Sequence, residues 1–468
     1  MSENDKTILI VVLAFIILFG CMFISCCAGS MFYLTKTDKN AIIELLNDTS
    51  YNGFTNSNEV QSGTEAGYDQ AGMDIKDENG LSEAEKLIID ATEKTRKLYA
   101  DQKMAPVYQS EDELRSFMVS QMDDVTDEEL EEELGLYNIL GFAPKDFDLR
   151  QFYVDMYTEQ IAGFYDPDEN KMYLIEGDSP YNNAKTLAHE YTHFLQYNHP
   201  EFEPVLNYED DFCEENGETC VILDALIEGD ATLTESLIDV DKIIGKYKNI
   251  SDDSSAAASD VFDNAPKFFQ DMLLFPYMYG YDFVAYHYLK GGFNSVNDLF
   301  INLPQSVEQI IHPEKYLKDH PVNVTLEPFR SIIADHSDII QEDVLNESDI
   351  KMILSSGYEK DWQLDERQAS AAAEGWGGGA FLFAKDGDDP LFFAKIVWDT
   401  VKDAEDAESA FSLYSDRRFG NQIENNVWKD GNSHVYLIRQ DDILYWMILP
   451  DTIDFSQMID IIKNGSSI

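Results

Sequence analysis

The sequence contains few basic residues for its size. Its 468 residues include 33 lysines and arginines against 89 aspartates and glutamates, so the formal net charge is −56. A surface this negative repels the phosphate backbone of nucleic acids, and we therefore expect no nucleic-acid partner. The 44% of hydrophobic residues excludes wholesale disorder, and the length allows two or three domains.

Cysteine is also scarce in the part of the chain that we expect to fold. Three of the five cysteines lie in an apolar N-terminal run, which leaves Cys213 and Cys220. Two remaining thiols predict one disulfide. Because such a bond persists in an oxidising compartment, we expect the large C-terminal part to lie outside the cytoplasm. Two unpaired thiols in a cytosolic protein are the alternative.

Charged residues are missing altogether from Thr7 to Thr35. This run exceeds the ~20 apolar residues that cross a bilayer as a helix. Residues 1–36 are therefore predicted to be a membrane anchor, and the protein a single-pass membrane protein. A cleaved secretory signal and a lipoprotein anchor are the alternatives. Residues 37–80 are predicted to be a juxtamembrane segment and linker.

Residues 81–340 show the apolar spacing of a mainly helical domain. Helices are predicted at Asp127–Leu140, Ala184–Tyr197, Cys220–Tyr247 and Phe268–Leu289. Between Glu159 and Glu176 the period changes to two around the turn residues DPDEN, which predicts a β-hairpin.

A shift in composition marks a second domain at residues 341–468. All five tryptophans lie after Lys360, where no cysteine occurs. The pattern predicts a small α+β domain of unknown role. Its predicted strands are Ala380–Ala384, Leu391–Val397, His434–Arg439 and Ile443–Leu449, and its predicted helices are Asp403–Tyr414 and Phe455–Lys463.

The segment LAHEYTHFLQYN places His189 and His193 four residues apart. On a helix both imidazoles project from one face, which suits two ligands of a single zinc ion. Glu190 is turned away by roughly 100°, where it could accept a proton from zinc-bound water without binding the metal. We therefore predict a catalytic zinc site. The alternative is a helix that merely carries two histidines and a glutamate.

A catalytic zinc site needs a third protein ligand, and no histidine follows His193 in the His-x-x-Gly-x-x-His manner. Glu228 lies instead in the apolar segment ALIEGDATLTES, where a buried carboxylate requires a cation, so we predict it as the third ligand. The adjacent Gly229 would let this helix approach the metal-bearing helix closely. A solvent-facing carboxylate is the alternative.

These motifs resemble the gluzincin metallopeptidases, in which an HExxH helix is followed by a second helix with a glutamate ligand. The layout is similar to that of their aminopeptidase-N-like branch, and the resemblance covers roughly residues 151–316. The gap between His193 and Glu228 is longer than in that branch, so exopeptidase specificity is not implied. The resemblance implies that an extended peptide lies along the edge strand around residues 162–165; an ordinary surface hairpin is the alternative.

By the same resemblance Tyr277, three residues before Gly280, would donate a hydrogen bond to the oxygen that becomes negative during attack on a peptide carbonyl. Aromatic core packing is the alternative for Tyr277, and His312 is a second candidate donor. Asp230 and Glu235 could orient the histidine ligands. Surface acids are the alternative for both.

We therefore expect an α+β fold with an N-terminal transmembrane helix, a mainly helical zincin-like metallopeptidase domain with a small β-hairpin, and a small C-terminal α+β domain. The expected function is that of a membrane-anchored peptidase. Its cofactor is zinc (Zn2+), held by His189, His193 and Glu228, and its substrate is a peptide or protein. The alternatives are an inactive, membrane-tethered binding protein and a structural zinc site that includes Cys213 and Cys220.

Overall fold

The described part of the chain comes from a computed structural model. It comprises residues 76–122, 125–176, 181–207, 212–247, 260–387, 389–452 and 454–464. The predicted membrane anchor, and the predicted linker as far as residue 75, lie outside the described residues.

No helix within these described ranges is long and apolar enough to cross a membrane. The 20-residue helix Gly217–Ser236 carries buried acids, among them Asp224 and Glu228. The prediction of a fold with a transmembrane helix is therefore wrong, and so is the prediction of a single-pass membrane protein. The structure shows an α+β fold with two β-sheets.

Helices dominate the first part of the described chain. In order, its elements are α1 (Glu83–Arg96), β1 (Val107–Gln109), α2 (Glu111–Met122), α3 (Asp127–Leu140), α4 (Leu149–Gln160), β2 (Gly163–Asp166), β3 (Lys171–Ile175), α5 (Ala184–Tyr197), α6 (Glu203–Leu206), α7 (Phe212–Glu215), α8 (Gly217–Ser236), α9 (Val240–Ile244), α10 (Asp260–Asn264), α11 (Lys267–Phe275), a π-helix (Pro276–Gly280), α12 (Tyr281–Gly291), α13 (Phe293–Ile301) and α14 (Val307–Ile311).

The second part combines helices with the strands of the larger sheet. In order, its elements are α15 (Phe329–Ala334), β4 (Asp338–Val344), α16 (Glu347–Ser355), α17 (Glu366–Ala373), β5 (Trp376–Asp386), β6 (Asp389–Trp398), α18 (Val401–Phe419), β7 (Val427–Asp430), β8 (Ser433–Gln440), β9 (Ile443–Pro450) and α19 (Ser456–Asn464).

The smaller sheet has the order β1-β3-β2, with β1 parallel and β2 antiparallel to β3. Its β2–β3 hairpin is the one predicted between Glu159 and Glu176. Among the described strands β2 pairs with β3 alone, so it is an edge strand of this sheet. The larger sheet is antiparallel, with the order β4-β5-β6-β9-β8-β7.

The larger sheet has more strands than the sequence pattern predicted. The four predicted strands lie within β5, β6, β8 and β9, whereas β4 and β7 were not expected. Polar residues interrupt β4 (DIIQEDV), and β7 has only four residues, so neither gives a clear hydrophobic alternation. Because β4 begins at Asp338, the predicted division between residues 340 and 341 falls inside a strand.

The helical part and the larger sheet share a hydrophobic core. One contiguous cluster includes Tyr137 and Phe269 from the helices and Trp376 and Trp398 from the sheet. The predicted division therefore separates regions that are packed together through buried side chains.

A second cluster surrounds helices α1, α5 and α8. This cluster supports the two helices that carry the predicted metal ligands.

Cys213 on α7 and Cys220 on α8 form the disulfide that the cysteine count predicted.

Candidate metal centre

Helix α5 presents both predicted histidine ligands to the protein interior. Its apolar residues Leu187, Tyr191 and Leu195 belong to the hydrophobic cluster shared with α1 and α8. The side chains of His189 and His193 are fully buried, and their ring centroids are 4.7 Å apart. This proximity follows from their four-residue spacing on one helix.

Glu228, the predicted third ligand, lies on α8 beside these histidines. Its Oε2 atom is 3.0 Å from His189 Nε2, and its Oε1 atom is 3.6 Å from His193 Nε2. One ligand atom from each of the three residues lies within 4.8 Å of the other two. The structure therefore brings the three predicted ligands together in a buried position.

The positions of these atoms are compatible with a tetrahedral metal ion, the geometry that zinc adopts. Zinc binds nitrogen and oxygen at about 2.0–2.2 Å, and two tetrahedral donors at such bond lengths are about 3.4 Å apart. The separation of His189 Nε2 from Glu228 Oε2, 3.0 Å, and that of His193 Nε2 from Glu228 Oε1, 3.6 Å, lie on either side of this value. Two imidazoles and one carboxylate also leave one tetrahedral position for water or substrate.

Neighbouring side chains orient the outer nitrogen of each imidazole. His189 Nδ1 lies 3.3 Å from Glu235 Oε2, and His193 Nδ1 donates a hydrogen bond to Gln196 Oε1 at 3.0 Å. These acceptors favour the proton on Nδ1. The Nε2 atom of each ring is then the metal-binding atom.

A buried polar chain continues from His193 towards α1. Gln196 Nε2 donates to Asp230 Oδ2 at 2.9 Å. Arg96 Nε lies 2.7 Å from Asp230 Oδ1, and both of these charged side chains are fully buried. Glu235 is also buried, so the alternative in which Asp230 and Glu235 are surface acids is wrong.

Sequence reasoning missed Gln196 and Arg96. Gln196 follows His193 by three residues on the same helix, and this spacing is a signal that could have found it. Arg96 lies 134 residues before Asp230. Because only the packing of α1 against α8 brings those two together, no local pattern marks Arg96.

Burial and neighbouring charges shift the pKa values at this site in different directions. Burial lowers the pKa of His193, and the charge of His189 lowers it further. Burial also opposes protonation of His189, but the carboxylates of Glu228 and Glu235 raise its pKa well above the ordinary value. Burial raises the pKa of Glu190, and Glu228 adds to this increase although His189 opposes it. The surplus of carboxylates favours a bound cation.

Glu190 contacts the open edge of β2. The Ile175 N–H donates to the Ala162 carbonyl at 3.0 Å. In an antiparallel pair, the main-chain groups of successive residues alternately face the partner strand and face away from it. Because the carbonyl of Ala162 faces β3, the main-chain groups of Gly163 and Tyr165 point away from β3. The Tyr165 N–H donates to the Glu190 carboxylate, whereas Glu190 Oε2 has no hydrogen-bond partner among the described residues. This oxygen can accept a proton beside the edge strand.

Tyr277 lies on the π-helix, which packs against α8. Its ring is buried, and the ring centroid is 6.5 Å from that of His189. Gly229 permits this packing, because a Cβ atom there would lie 2.3 Å from the Gly280 carbonyl group. The prediction that Gly229 serves contact with the metal-bearing helix is therefore wrong: its close neighbour is the segment that carries Tyr277.

Other residues considered from the sequence have different partners. His312 Nε2 lies 2.9 Å from Glu347 Oε1. Cys213 and Cys220 are bonded to each other in a small cluster of their own, so they offer no thiolates to a metal. The alternative of a structural zinc site with these cysteines is therefore wrong.

A known sequence family matches the C-terminal part of the chain. The family is described as "Domain of unknown function (DUF8575)", and the match covers residues 334–458. This span contains the larger sheet from β4 to β9. No curated protein and no solved structure matches the chain. The matched span does not include the candidate metal centre.

Proposed function

We propose that this protein is a zinc-dependent peptidase that hydrolyses peptide bonds in a peptide or protein substrate. The observation that carries the proposal is the meeting of two buried imidazoles and a buried carboxylate, with the buried carboxylate of Glu190 beside them. The resemblance of the segments HEYTH and EGDATLTE to the gluzincin metallopeptidases supports the same function.

His189, His193 and Glu228 would hold the metal. Within the described ranges, His193 Nε2 is buried without a hydrogen-bond partner while its Nδ1 donates to Gln196, as expected of a metal-binding imidazole. When bound, the ion would supply Lewis-acid chemistry, making a water molecule more acidic and polarising the substrate carbonyl.

Glu190 would act as the general base. Its carboxylate is buried and has one oxygen with no hydrogen-bond partner in the described part of the chain. In the proposed reaction, Glu190 takes a proton from the attacking water and later gives it to the nitrogen of the leaving amine. Glu190 therefore ends the cycle ionised, as it began.

Tyr277 and β2 would position the substrate. The Tyr277 hydroxyl would donate a hydrogen bond to the carbonyl oxygen as negative charge develops there. The outward main-chain groups of Gly163, at the open edge of β2, would pair with the main chain of an extended peptide.

Replacement of the base, Glu190→Gln, tests the proposal. The variant should bind as much zinc as the wild type but hydrolyse an unstructured protein at least about 100-fold more slowly, since an amide cannot accept the proton. Glu129→Gln is the matched control, because Glu129 is a buried capping residue on α3 and glutamine can take its place. Full activity of Glu190→Gln would refute the base assignment, and a wild type without chelator-sensitive hydrolysis would refute the peptidase proposal.

A second substitution, Glu228→Ala, tests the ligand set. Loss of one of three protein ligands should lower the zinc content of the purified protein, as measured by elemental analysis. Zinc content equal to that of the wild type would exclude Glu228 as a ligand.

A further inference from the structure

A cavity of about 190 Å³ has one wall formed by α8, the helix that carries Glu228. Asp224 lines it and precedes Glu228 by four residues, so both side chains lie on one face of α8. Pro276, which also lines the cavity, is adjacent to Tyr277. Cavities that hold whole small-molecule ligands measure roughly 300–1,000 Å³. This smaller cavity suits one side chain of a larger substrate.

The walls that the described residues give this cavity combine apolar side chains with acidic ones and include no lysine, arginine or histidine. Its acidic residues are Glu133, Glu218, Asp224, Asp343 and Asp349. Burial raises the pKa of each, and for Glu133 and Glu218 it raises the pKa to about 8. A buried carboxyl group without a positive partner keeps its proton, and a cation bound beside it would stabilise the ionised form, so the acidic side chains of this cavity could pair with a cationic ligand.

Two of these carboxylates have an oxygen that is not hydrogen-bonded to any described residue. They are Asp224 Oδ2 and Glu133 Oε2, and each side chain is only 3% exposed. Glu133 Oε1 accepts a hydrogen bond from the Tyr153 hydroxyl, and Glu218, Asp343 and Asp349 each accept one from a backbone N–H group. Asp224 and Glu133 are therefore placed to receive the hydrogen-bond donors of a ligand.

We propose that this cavity binds a lysine or arginine side chain of the substrate, next to the bond that is cleaved. The inference rests on the proposed peptidase function. Apolar residues such as Phe268 and Met272 would pack along the aliphatic stem, while Asp224 and Glu133 accept hydrogen bonds from its charged end. The net charge of −56 would further attract basic peptides to the protein.

The C-terminal part of the chain supplies one wall of the same cavity. Asp343 on β4, Asp349 on α16 and Phe381 on β5 all line it, and all lie within the span matched by the domain of unknown function. The proposal therefore gives the larger sheet a role beside the metal centre, which is to complete the pocket that selects the substrate side chain.

The rates at which two peptides are hydrolysed test the proposal. The peptides are identical except that one contains a lysine where the other contains Nε-acetyl-lysine. The zinc-loaded full chain should cleave the lysine peptide at a bond next to that residue, with kcat/KM about 10- to 100-fold higher than for the acetylated peptide, the range expected for a charged hydrogen bond. Asp224→Asn and Glu133→Gln should each reduce this preference. Glu129→Gln, one turn before Glu133 on α3 and not a lining residue, should keep it.

Binding of the same peptides to the Glu190→Gln variant separates the two proposals. If the lysine peptide binds more tightly than the acetylated one, and Asp224→Asn reduces this difference in affinity, the pocket is supported even when no peptide is hydrolysed. The absence of hydrolysis would then refute only the peptidase function. Equal affinity for the two peptides, or a preference that survives both Asp224→Asn and Glu133→Gln, overturns the pocket. A peptidase that cleaves both peptides equally well also overturns it.

Discussion

The buried ion pair between Arg96 and Asp230 leads to a quantitative prediction about stability. Both side chains have 0% exposure, and Arg96→Met would leave the Asp230 carboxylate buried beside the neutral amide of Gln196. Removing one partner of a buried pair costs about 3–5 kcal/mol. Arg96 also donates to Asn297 at 2.7 Å and lies 4.8 Å from the ring centroid of Phe293. We therefore expect a loss in the upper half of that range.

Urea unfolding followed by circular dichroism measures this loss, with Arg330→Met as the matched control. The Arg330–Glu342 pair is exposed, at 47% and 37%, so its loss should change the free energy of unfolding by less than about 1 kcal/mol. Because Asp230 supports the ligand His193 through one intervening glutamine, Arg96→Met should also weaken zinc binding, by about tenfold. An equal loss of stability in the two variants would refute the reasoning.

Further predictions concern the glycine contact, the pH dependence of stability and the proposed oxyanion donor. Gly229→Ala should destabilise the protein by about 1–3 kcal/mol in thermal unfolding, because the added Cβ would lie 2.3 Å from the Gly280 carbonyl. The control Gly245→Ala should be tolerated, since the nearest atom there is 3.8 Å away, and equal melting temperatures of the two variants would contradict the prediction. Glu133 has its pKa raised from 4.5 to about 8, so the folded state holds its proton more tightly than the unfolded state, and stability should fall as the pH rises from 4.5 to 8. At 1.36 kcal/mol per pH unit, the loss of unfolding free energy amounts to at most about 5 kcal/mol. Glu133→Gln should therefore flatten the curve of unfolding free energy against pH, and an unchanged slope would contradict this prediction. Tyr277→Phe should lower kcat about 100- to 1,000-fold without loss of zinc, and wild-type kcat would remove Tyr277 from the mechanism.

Local patterns predicted one helix of the site well, whereas the second, predicted at Cys220–Tyr247, ends at Ser236 and is followed by the separate helix α9. The apolar spacing of Ala184–Tyr197 gave both ends of α5, since the buried stripe and the polar residues that follow it are encoded within one segment. His189, His193 and Glu228 could be proposed as ligands because few residue types bind zinc and a carboxylate in an apolar helix requires a partner. The structure places these three side chains together.

Features that depend on packing between distant segments could not be predicted in this way. Arg96 reaches the site only through the packing of α1 on α8. Gly229 was assigned the wrong neighbour, because a glycine in a sequence indicates a close approach without naming the partner. Strand β4 has polar residues at several positions and depends on its pairing with β5, so its own pattern gave no signal.

Anomalous diffraction at the zinc absorption edge, from crystals of the zinc-loaded protein, tests the central claim most directly. We expect one zinc ion at about 2.0–2.2 Å from His189 Nε2, from His193 Nε2 and from a carboxylate oxygen of Glu228. Zinc bound only at other residues, or no zinc at these three, would contradict the account.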